Sequence, residues 1–235
     1  MSTGSRILIV GAGGLSSPLI RLLAKSGVRH VTIVDDDVVD ASNLHRQTLY
    51  TDADLGKPKI QRAADAITSL APQLAVRSVE GRFVPNTAKD LLEGHDLVVE
   101  GADNLATKFL VADAAHLAGV PAVQAGAVRW SGWAFCALPG AACLRCLFED
   151  IPRDRVETCA EAGVVGPVVG VLGALQAAFL YRWLAGERPA GELWHYEALR
   201  GALRRTHVRR RGECSLCSGE IQDLRQERYS AACAA

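Results

Sequence analysis

The stretch RILIVGAGGLSSPLI, residues 6–20, says the most about the fold of this chain. A short apolar run ends in the turn GAGG (11–14), and a helical pattern follows to about Ser26. Glycines between a strand and a helix let the backbone approach a phosphate at the helix N-terminus. Ser16 replaces the usual third glycine of such a turn. We predict a nucleotide or dinucleotide site; the alternative is an ordinary tight strand–helix turn.

A second apolar strand, HVTIV (30–34), runs into Asp35, about twenty residues beyond the glycine turn. In a Rossmann fold an acidic residue at this place binds the ribose hydroxyls. The glycine turn and Asp35 together do not separate NAD from ATP.

Strands and helices alternate through the first half of the chain. Further strands are predicted at 74–80, 96–101 and 121–126, and helices at 58–70 and 105–118. After residue 130 the rhythm changes: a strand at 133–138, an irregular stretch at 139–162, a long apolar helix, and two strand-like segments that turn at Gly201. We predict an α/β fold with a Rossmann-like sheet, parallel in its N-terminal half and partly antiparallel in its C-terminal half, with helices on both faces.

The charge and hydropathy of the chain bear on the partners to expect. The 235 residues carry 26 Lys+Arg and 26 Asp+Glu, so the zero net charge gives no reason to expect nucleic acid or an anionic membrane. Residues 162–181 are apolar and long enough to span a bilayer, but Gly166-Pro167 and Gln176 favour a buried helix. No signal-peptide pattern precedes the first strand, so we predict a cytoplasmic protein without a membrane partner.

The polar loop after Asp35 favours ATP over NAD. Asn43, Arg46 and Gln47 lie close together, and Lys59 follows just inside the next helix. A guanidinium fork and a mobile ammonium suit a triphosphate, whereas the pyrophosphate of NAD is already served by the glycine turn. The alternative is a solvated loop without a ligand. An NAD(P)-dependent oxidoreductase would leave Arg46 and Lys59 without a role.

Two C-x-x-C pairs stand out among the seven cysteines. They are Cys143-Leu-Arg-Cys146 and Cys214-Ser-Leu-Cys217. Each pair places two thiolates on one tight turn, and two pairs make a closed tetrahedral Zn²⁺ site. A redox-active C-x-x-C is the alternative. Because the pairs are far apart in the sequence, the fold must bring them together.

Several motifs in order make the resemblance specific: GAGGLSSPLI, VDDDVVDASNLHRQTLY, DLGKPKIQ, EGADN, CLRC, ETCAEAGVVGPVVGVLGALQA and CSLC. Over residues 6–218 this series resembles the ThiF/MoeB/HesA superfamily, relatives of the ubiquitin-activating enzyme. The resemblance implies a MoeB-like adenylyltransferase. Such an enzyme binds ATP and Mg²⁺ and adenylates the C-terminal glycine carboxylate of a small ubiquitin-like sulfur-carrier protein that ends in Gly-Gly, releasing pyrophosphate.

The resemblance also assigns residues. Those expected at the nucleotide are Gly11, Gly13, Gly14, Asp35, Ser42, Asn43, Leu44, His45, Arg46, Gln47, Lys59, Asp103 and Asn104. Asp35 would hold the ribose and Asp103 the Mg²⁺. From the sequence alone, the alternative role for Asp103 is a helix cap. Arg46, Lys59 and Asp103 would act in catalysis, and Cys159 is the candidate for a covalent bond to the carrier; its alternative is a free loop cysteine.

The resemblance further implies a homodimer in which an N-terminal arginine reaches the partner's nucleotide. The first strand is predicted to start near Arg6, so we expect that arginine to be missing unless Arg6 or another residue replaces it. Trp133 stands where relatives tend to carry a polar residue. Without a rhodanese domain, sulfur is expected from a separate donor protein. The basic segment 200–211 is read as a solvated strand face, or as a dock for an acidic carrier.

These interpretations divide the chain into three parts: an ATP-binding half (1–130), a zinc-clipped carrier-binding half of the same domain (131–218), and a loose tail (219–235). Two other functions stay open: activation of a small or tRNA-borne carboxylate by the same chemistry, and a binding scaffold without activity. The sequence does not distinguish molybdopterin, thiamin, thiolated tRNA or another metabolite as the destination of the sulfur.

Overall fold

The computed structural model describes residues 4–152 and 163–230, and within them eight strands form one sheet in the order β3-β2-β1-β4-β5-β6-β7-β8. The strands are β1 Arg6–Val10, β2 His30–Asp35, β3 Ala75–Glu80, β4 Leu97–Glu100, β5 Ala122–Val128, β6 Ser131–Ala137, β7 Glu192–Glu197 and β8 Ala202–His207. The α-helices are α1 Ser16–Leu23, α2 Lys59–Leu70, α3 Pro85–Leu92, α4 Leu105–Ala118, α5 Leu144–Phe148, α6 Gly166–Leu184 and α7 Gln226–Ser230. Short 3-10 helices lie at Ala41–Asn43, Asp52–Asp54 and Ala198–Arg200.

The pairing of the strands confirms the predicted fold class. Strands β1 to β5 pair in parallel, and β6, β7 and β8 pair antiparallel to their neighbours. The change from parallel to antiparallel pairing occurs at the tight β5–β6 connection. This connection contains residue 130, the predicted boundary between the two halves. Both halves therefore contribute to one continuous sheet. The predicted strands and long helices are present, and α4 ends at Gly119 in the left-handed conformation, φ 68°.

Helices cover both faces of the sheet, as predicted. One core lies beneath α1, α2 and α6, and the other beneath α3, α4 and α5. The central strands β1 and β4 are apolar along almost their whole length because they are buried on both faces.

The long apolar helix α6 is part of the core. Among the described residues it alone is long and apolar enough to cross a membrane, and half of its apolar window is buried inside the protein. Leu172 and Phe179 are fully buried, and the buried Gln176 donates from Nε2 to the carbonyl of Glu100 at 2.7 Å. The buried-helix interpretation is therefore confirmed.

Residues 219–230 pack against the rest of the protein, although a loose tail was expected for residues 219–235. Ile221 and Tyr229 are buried, and α7 packs on α4. The anchor is a hydrogen bond from the Tyr229 hydroxyl to Asp113 at 2.8 Å. A polar sequence gave no sign of this contact, since its partner lies on a distant helix. Cys159, predicted for covalent chemistry, lies outside the described residues.

Candidate nucleotide site and cysteine cluster

A cavity of about 500 Å³ opens at the carboxyl ends of the parallel strands. After β1 the chain continues to β2 on one side of the sheet, and after β4 it continues to β5 on the other side. The cavity lies at this switch point, which is where open α/β sheets bind ligands. Predicted residues that line it are Gly11, Gly13, Gly14, Asp35, Arg46, Gln47, Lys59, Asp103 and Asn104. The fold thus gathers residues from four separate motifs around one space.

Packing explains the glycines of the first turn. Gly11 has φ 89°, and a Cβ there would lie 3.2 Å from the backbone nitrogen of Ala102 in the turn after β4. A Cβ on Gly14 would lie 2.8 Å from Cγ1 of Val169 on α6. Ser16, which replaces the third glycine, is buried and donates its hydroxyl to the carbonyl of Gly11. The serine therefore braces the turn.

Asp35 is fixed against the glycine turn. Its Oδ2 accepts from the backbone N–H of Ala12 at 2.7 Å, and its Oδ1 accepts from that of Asp37 at 2.8 Å. Burial raises the pKa of the Asp35 carboxyl. The two backbone hydrogen bonds and the charge of Lys59 act in the opposite direction and limit this rise. The buried hydroxyl of Tyr50 donates to the carbonyl of Ala12 at 2.6 Å and supports the same turn. Tyr50 was missed by the sequence analysis although it ends the quoted loop motif.

Arg46 is half-buried at the cavity wall, and the loop before it supports its guanidinium. Asn43 accepts from Nη2 of Arg46, and the carbonyl of Ser42 lies 3.4 Å from Nη1. His45 Nδ1 lies 2.9 Å from that same carbonyl. Ser42, Asn43, Leu44 and His45 do not line the cavity, and three of them, Ser42, Asn43 and His45, contact the guanidinium of Arg46.

Gln47 and Lys59 are buried cavity residues. The Oε1 atom of Gln47 has no hydrogen-bond partner among residues 4–152 and 163–230. Such an orphaned acceptor is uncommon in native proteins and points to a ligand or water. The Nζ of Lys59 forms an ion pair with Oδ2 of Asp37 at 2.8 Å.

The neighbouring aspartates also acquire roles. Asp36 pairs with Arg82 at 2.6 Å, at the rim of the cavity. Asp40 caps the 3-10 helix Ala41–Asn43 by accepting from the backbone of Ser42 at 2.8 Å. The hydrogen bond from the Ser42 hydroxyl is the main cause that lowers the pKa of Asp40.

Asp103 and Asn104, just before α4, have different environments. Asn104 caps the helix, since its Oδ1 accepts from the backbone of Thr107 at 2.8 Å. The helix-cap alternative for Asp103 is therefore wrong. Asp103 is exposed and lines the cavity, where its carboxylate is available to a cation.

A buried ion pair beneath the cavity was missed by the sequence analysis. Glu100, at the end of β4, is fully buried and receives Lys108 Nζ at 3.0 and 3.1 Å from its two oxygens. Lys108 also donates to the carbonyl of Ala125 and lines the cavity. Burial raises the pKa of Glu100, and the adjacent ammonium opposes this. A single lysine within the apolar helix LATKFLVADAAHLA was the available signal.

The four cysteines of the two C-x-x-C pairs meet in the fold. All are buried, and their Sγ atoms lie within 4.8 Å of one another. Four of the Sγ–Sγ distances are 3.5 Å (Cys143–Cys214 and Cys143–Cys217), 3.6 Å (Cys146–Cys217) and 3.8 Å (Cys143–Cys146). A zinc–sulfur tetrahedron with bonds of about 2.3 Å has edges of about 3.8 Å. No pair is at the disulfide length of about 2.0 Å, so the donor set fits a tetrahedral metal.

A charged network joins this cluster to α4. Arg145, inside the first C-x-x-C, is buried and donates from Nε and Nη2 to the two oxygens of the buried Asp113 at 2.8 and 2.9 Å. Its Nη1 reaches Asp150 at 2.6 Å. The cysteine turn is thus fixed to the same helix whose first turn borders the cavity.

The glycine turn, the adjacent Asp35 and the cations Arg46 and Lys59 on the cavity wall are features typical of an α/β nucleotide-binding fold, and the chain also carries a four-cysteine cluster. The chain belongs to the ThiF family, which matches residues 3–216.

Curated relatives support this membership. The chain is 36% identical over 234 residues to the SAMP-activating enzyme E1 of Haloferax volcanii, covering 98% of this chain and 87% of that protein. It is 39% identical over 236 residues to the sulfur carrier protein adenylyltransferase of Thermus thermophilus, covering 97% and 87%. The chain spans about half the length of other curated relatives that it matches. The crystal structure of E. coli MccB shares the fold, with TM-score 0.81 and 21% identity, covering 92% of this chain and 65% of that one.

Proposed function

We propose that this chain catalyses the ATP-dependent adenylation of the C-terminal glycine carboxylate of a small ubiquitin-like sulfur-carrier protein. The observation that carries the proposal is the single cavity lined by the glycine turn, Asp35, Arg46, Lys59 and Asp103. Relatives that share most of their length with this chain are named for the activation of such carriers.

The chemistry requires charge neutralisation and alignment. A carboxylate oxygen of the carrier attacks the α-phosphorus of ATP, an acyl–phosphate bond forms, and the bond to pyrophosphate breaks. Two anions must approach each other, and negative charge builds up on the leaving group. Arg46 and Lys59 are cations on the cavity wall that would neutralise it. A carboxylate nucleophile is already ionised, so no general base is needed.

Asp103 would hold Mg²⁺ in this scheme. Its exposed carboxylate lines the cavity beside the helix cap, and hard oxygen ligands are those that Mg²⁺ prefers. When bound, the ion would neutralise phosphate oxygens and orient them for in-line attack. The helix cap made by Asn104 fixes the backbone on which Asp103 stands.

Zinc is the metal proposed for Cys143, Cys146, Cys214 and Cys217, because four buried thiolates in a closed tetrahedron are typical of structural zinc. The site would clip the segment after β6 to the segment after β8. Through Arg145 and Asp113 it would also steady α4. A redox role is disfavoured because all four sulfurs are buried.

The remaining partners are part of the same proposal. We propose a homodimer in the cytoplasm, a carrier ending in Gly-Gly, and a separate protein as the sulfur donor. The Cys159 thiolate would attack the acyl carbon of the carrier adenylate, so that a thioester forms and AMP leaves. An NAD(P)-dependent oxidoreductase would leave Arg46 and Lys59 facing the same cavity without a ligand for their charge.

Mass spectrometry of the carrier tests the proposal. After incubation of the chain with ATP, Mg²⁺ and a candidate carrier, we expect a carrier species heavier by one adenylyl group. A carrier without its last glycine should gain no mass. Adenylation of a small carboxylate with no adduct on any Gly-Gly carrier would contradict the proposed substrate while keeping the chemistry.

A further inference from the structure

The C-terminal helix α7 forms part of the wall of the nucleotide cavity. Gln226 and Tyr229 line it, although both lie beyond residue 216, where the family match ends. The glycine turn follows β1, Arg46 lies in the loop after β2, and Lys59 begins α2, whereas this wall is added by the segment expected to be a loose tail.

A buried hydrogen bond holds α7 in place. Tyr229 is 4% exposed, and its hydroxyl donates to Oδ2 of Asp113 at 2.8 Å. The same carboxylate accepts two hydrogen bonds from Arg145 in the cysteine turn. Asp113 therefore joins α4, the cysteine cluster and α7, and this joint determines where Gln226 lies.

Gln226 lines the cavity, and the expected path of a nucleotide through that cavity indicates which part of the nucleotide would lie near it. With phosphates at the glycine turn and the ribose at Asp35, the base extends away from Arg46 and Lys59. The apolar residues that line the cavity include Phe83 and Val84, just before α3, and Leu110 on α4. These surfaces suit a purine ring. Helix α7 packs on α4, so Gln226 stands at the edge of this apolar slot.

We propose that Gln226 recognises the adenine edge and is a specificity-determining residue; this inference rests on the proposed function. A carboxamide offers both an acceptor and a donor, which match the 6-amino group and the N1 nitrogen of adenine. The exposed Gln226 side chain reaches the base from the rim, while the apolar slot holds the ring faces.

Calorimetric binding of two nucleotides by the full chain, without a carrier, tests the inference. The probes are ATP and purine riboside triphosphate, which lacks the 6-amino group. We expect the wild-type chain to prefer ATP, and Gln226→Ala to weaken ATP binding about tenfold and remove most of that preference. Gln222→Ala is the matched control, since Gln222 is exposed, donates to the carbonyl of Gly219 and does not line the cavity.

The outcomes separate this inference from the proposed function. An unchanged preference for ATP in Gln226→Ala, or no preference in the wild-type chain, would overturn the role of Gln226 alone. A wild-type chain that binds neither nucleotide would instead overturn the proposed function. Equal weakening of both nucleotides in Gln226→Ala would show a merely structural effect and would also contradict recognition of the base.

Discussion

The ammonium of Lys59 lies 2.8 Å from Oδ2 of Asp37, and the two side chains differ in exposure, 5% for the lysine and 66% for the aspartate. The lysine is thus held at the cavity wall by a carboxylate that faces solvent. A triphosphate entering the cavity would compete with Asp37 for the same ammonium. An ion pair with a solvent-exposed partner contributes little free energy. Exchanging Asp37 for a phosphate as the partner of Lys59 should therefore cost little.

Replacing Lys59 should therefore reduce activity, whereas replacing Asp37 should not. Lys59→Met is expected to lower ATP-dependent adenylation about 100-fold, because one cation is lost where negative charge develops. Asp37→Asn should bind ATP as well as the wild type or up to about fivefold more tightly. Lys57→Met is the control, since Lys57 is exposed and outside the cavity. Weaker ATP binding in Asp37→Asn would argue against competition.

Arg46 provides a second test of the cavity. Arg46→Ala should lower the adenylation rate by about 100- to 1000-fold while the melting temperature changes little. Within residues 4–152 and 163–230 its guanidinium contacts neighbouring loop groups, namely Asn43, Ser42 and His45, so its loss should not unfold the core. Arg204→Ala, on the exposed strand β8, is the matched control. Steady-state rates comparable to the wild type in Arg46→Ala would rule out its role at the triphosphate.

The assignment of Asp103 predicts a change in metal dependence. In Asp103→Asn we expect the Mg²⁺ concentration for half-maximal activity to rise at least about tenfold, because an amide is a weaker ligand than a carboxylate. Titrating Mg²⁺ at saturating ATP measures this. Asp52→Asn, in an exposed 3-10 helix, serves as the control. If the Mg²⁺ curve of Asp103→Asn matches the wild type, another group holds the ion.

The four-cysteine cluster predicts one bound zinc ion per chain. Elemental analysis of Cys143→Ser or Cys214→Ser should show loss of most of that zinc, with a lower melting temperature because the clip between two segments is lost. Cys136→Ala is the control: Cys136 is equally buried, but in β6 and outside the cluster. Full zinc content in either cluster variant would refute the site.

His95 predicts a loss of stability in mild acid. Burial lowers the pKa of His95 below its ordinary value of 6.5, and its Nε2 lies 2.8 Å from Oγ1 of Thr32. The unfolded chain then binds more protons than the folded one between the two pKa values, so the free energy of unfolding falls as pH drops below 6.5. Melting temperatures from pH 7 to pH 5 should decline less in His95→Gln. Parallel declines in both proteins would contradict this assignment.

The sheet was predictable because its signals are local. An apolar run such as RILIV and the glycine turn after it indicate a strand and its end within a few residues. Likewise, Gly119 is left-handed and ends α4, as the glycine at this position predicts. The short helices α3, α5 and α7 were not predicted, since each has too few turns for a clear period and is stabilised by tertiary contacts.

The part of the candidate site that lies within sequence motifs was predictable. Nine of the predicted nucleotide residues line one cavity, from Gly11 to Asn104. The Glu100–Lys108 pair and the Asp113–Tyr229 bond escaped prediction because each joins elements whose contact only the fold creates. Asn104, and not Asp103, caps α4. The two residues are adjacent, and sequence spacing alone does not show which of them is the cap.

The exchange of labelled pyrophosphate into ATP tests the central claim most directly. In the presence of Mg²⁺ and a carrier ending in Gly-Gly, we predict rapid exchange that stops when the last glycine is removed and that is about 100-fold slower in Lys59→Met. Exchange that proceeds equally well without the carrier, or that is absent with every Gly-Gly carrier, would contradict the claim that this chain adenylates a ubiquitin-like sulfur carrier.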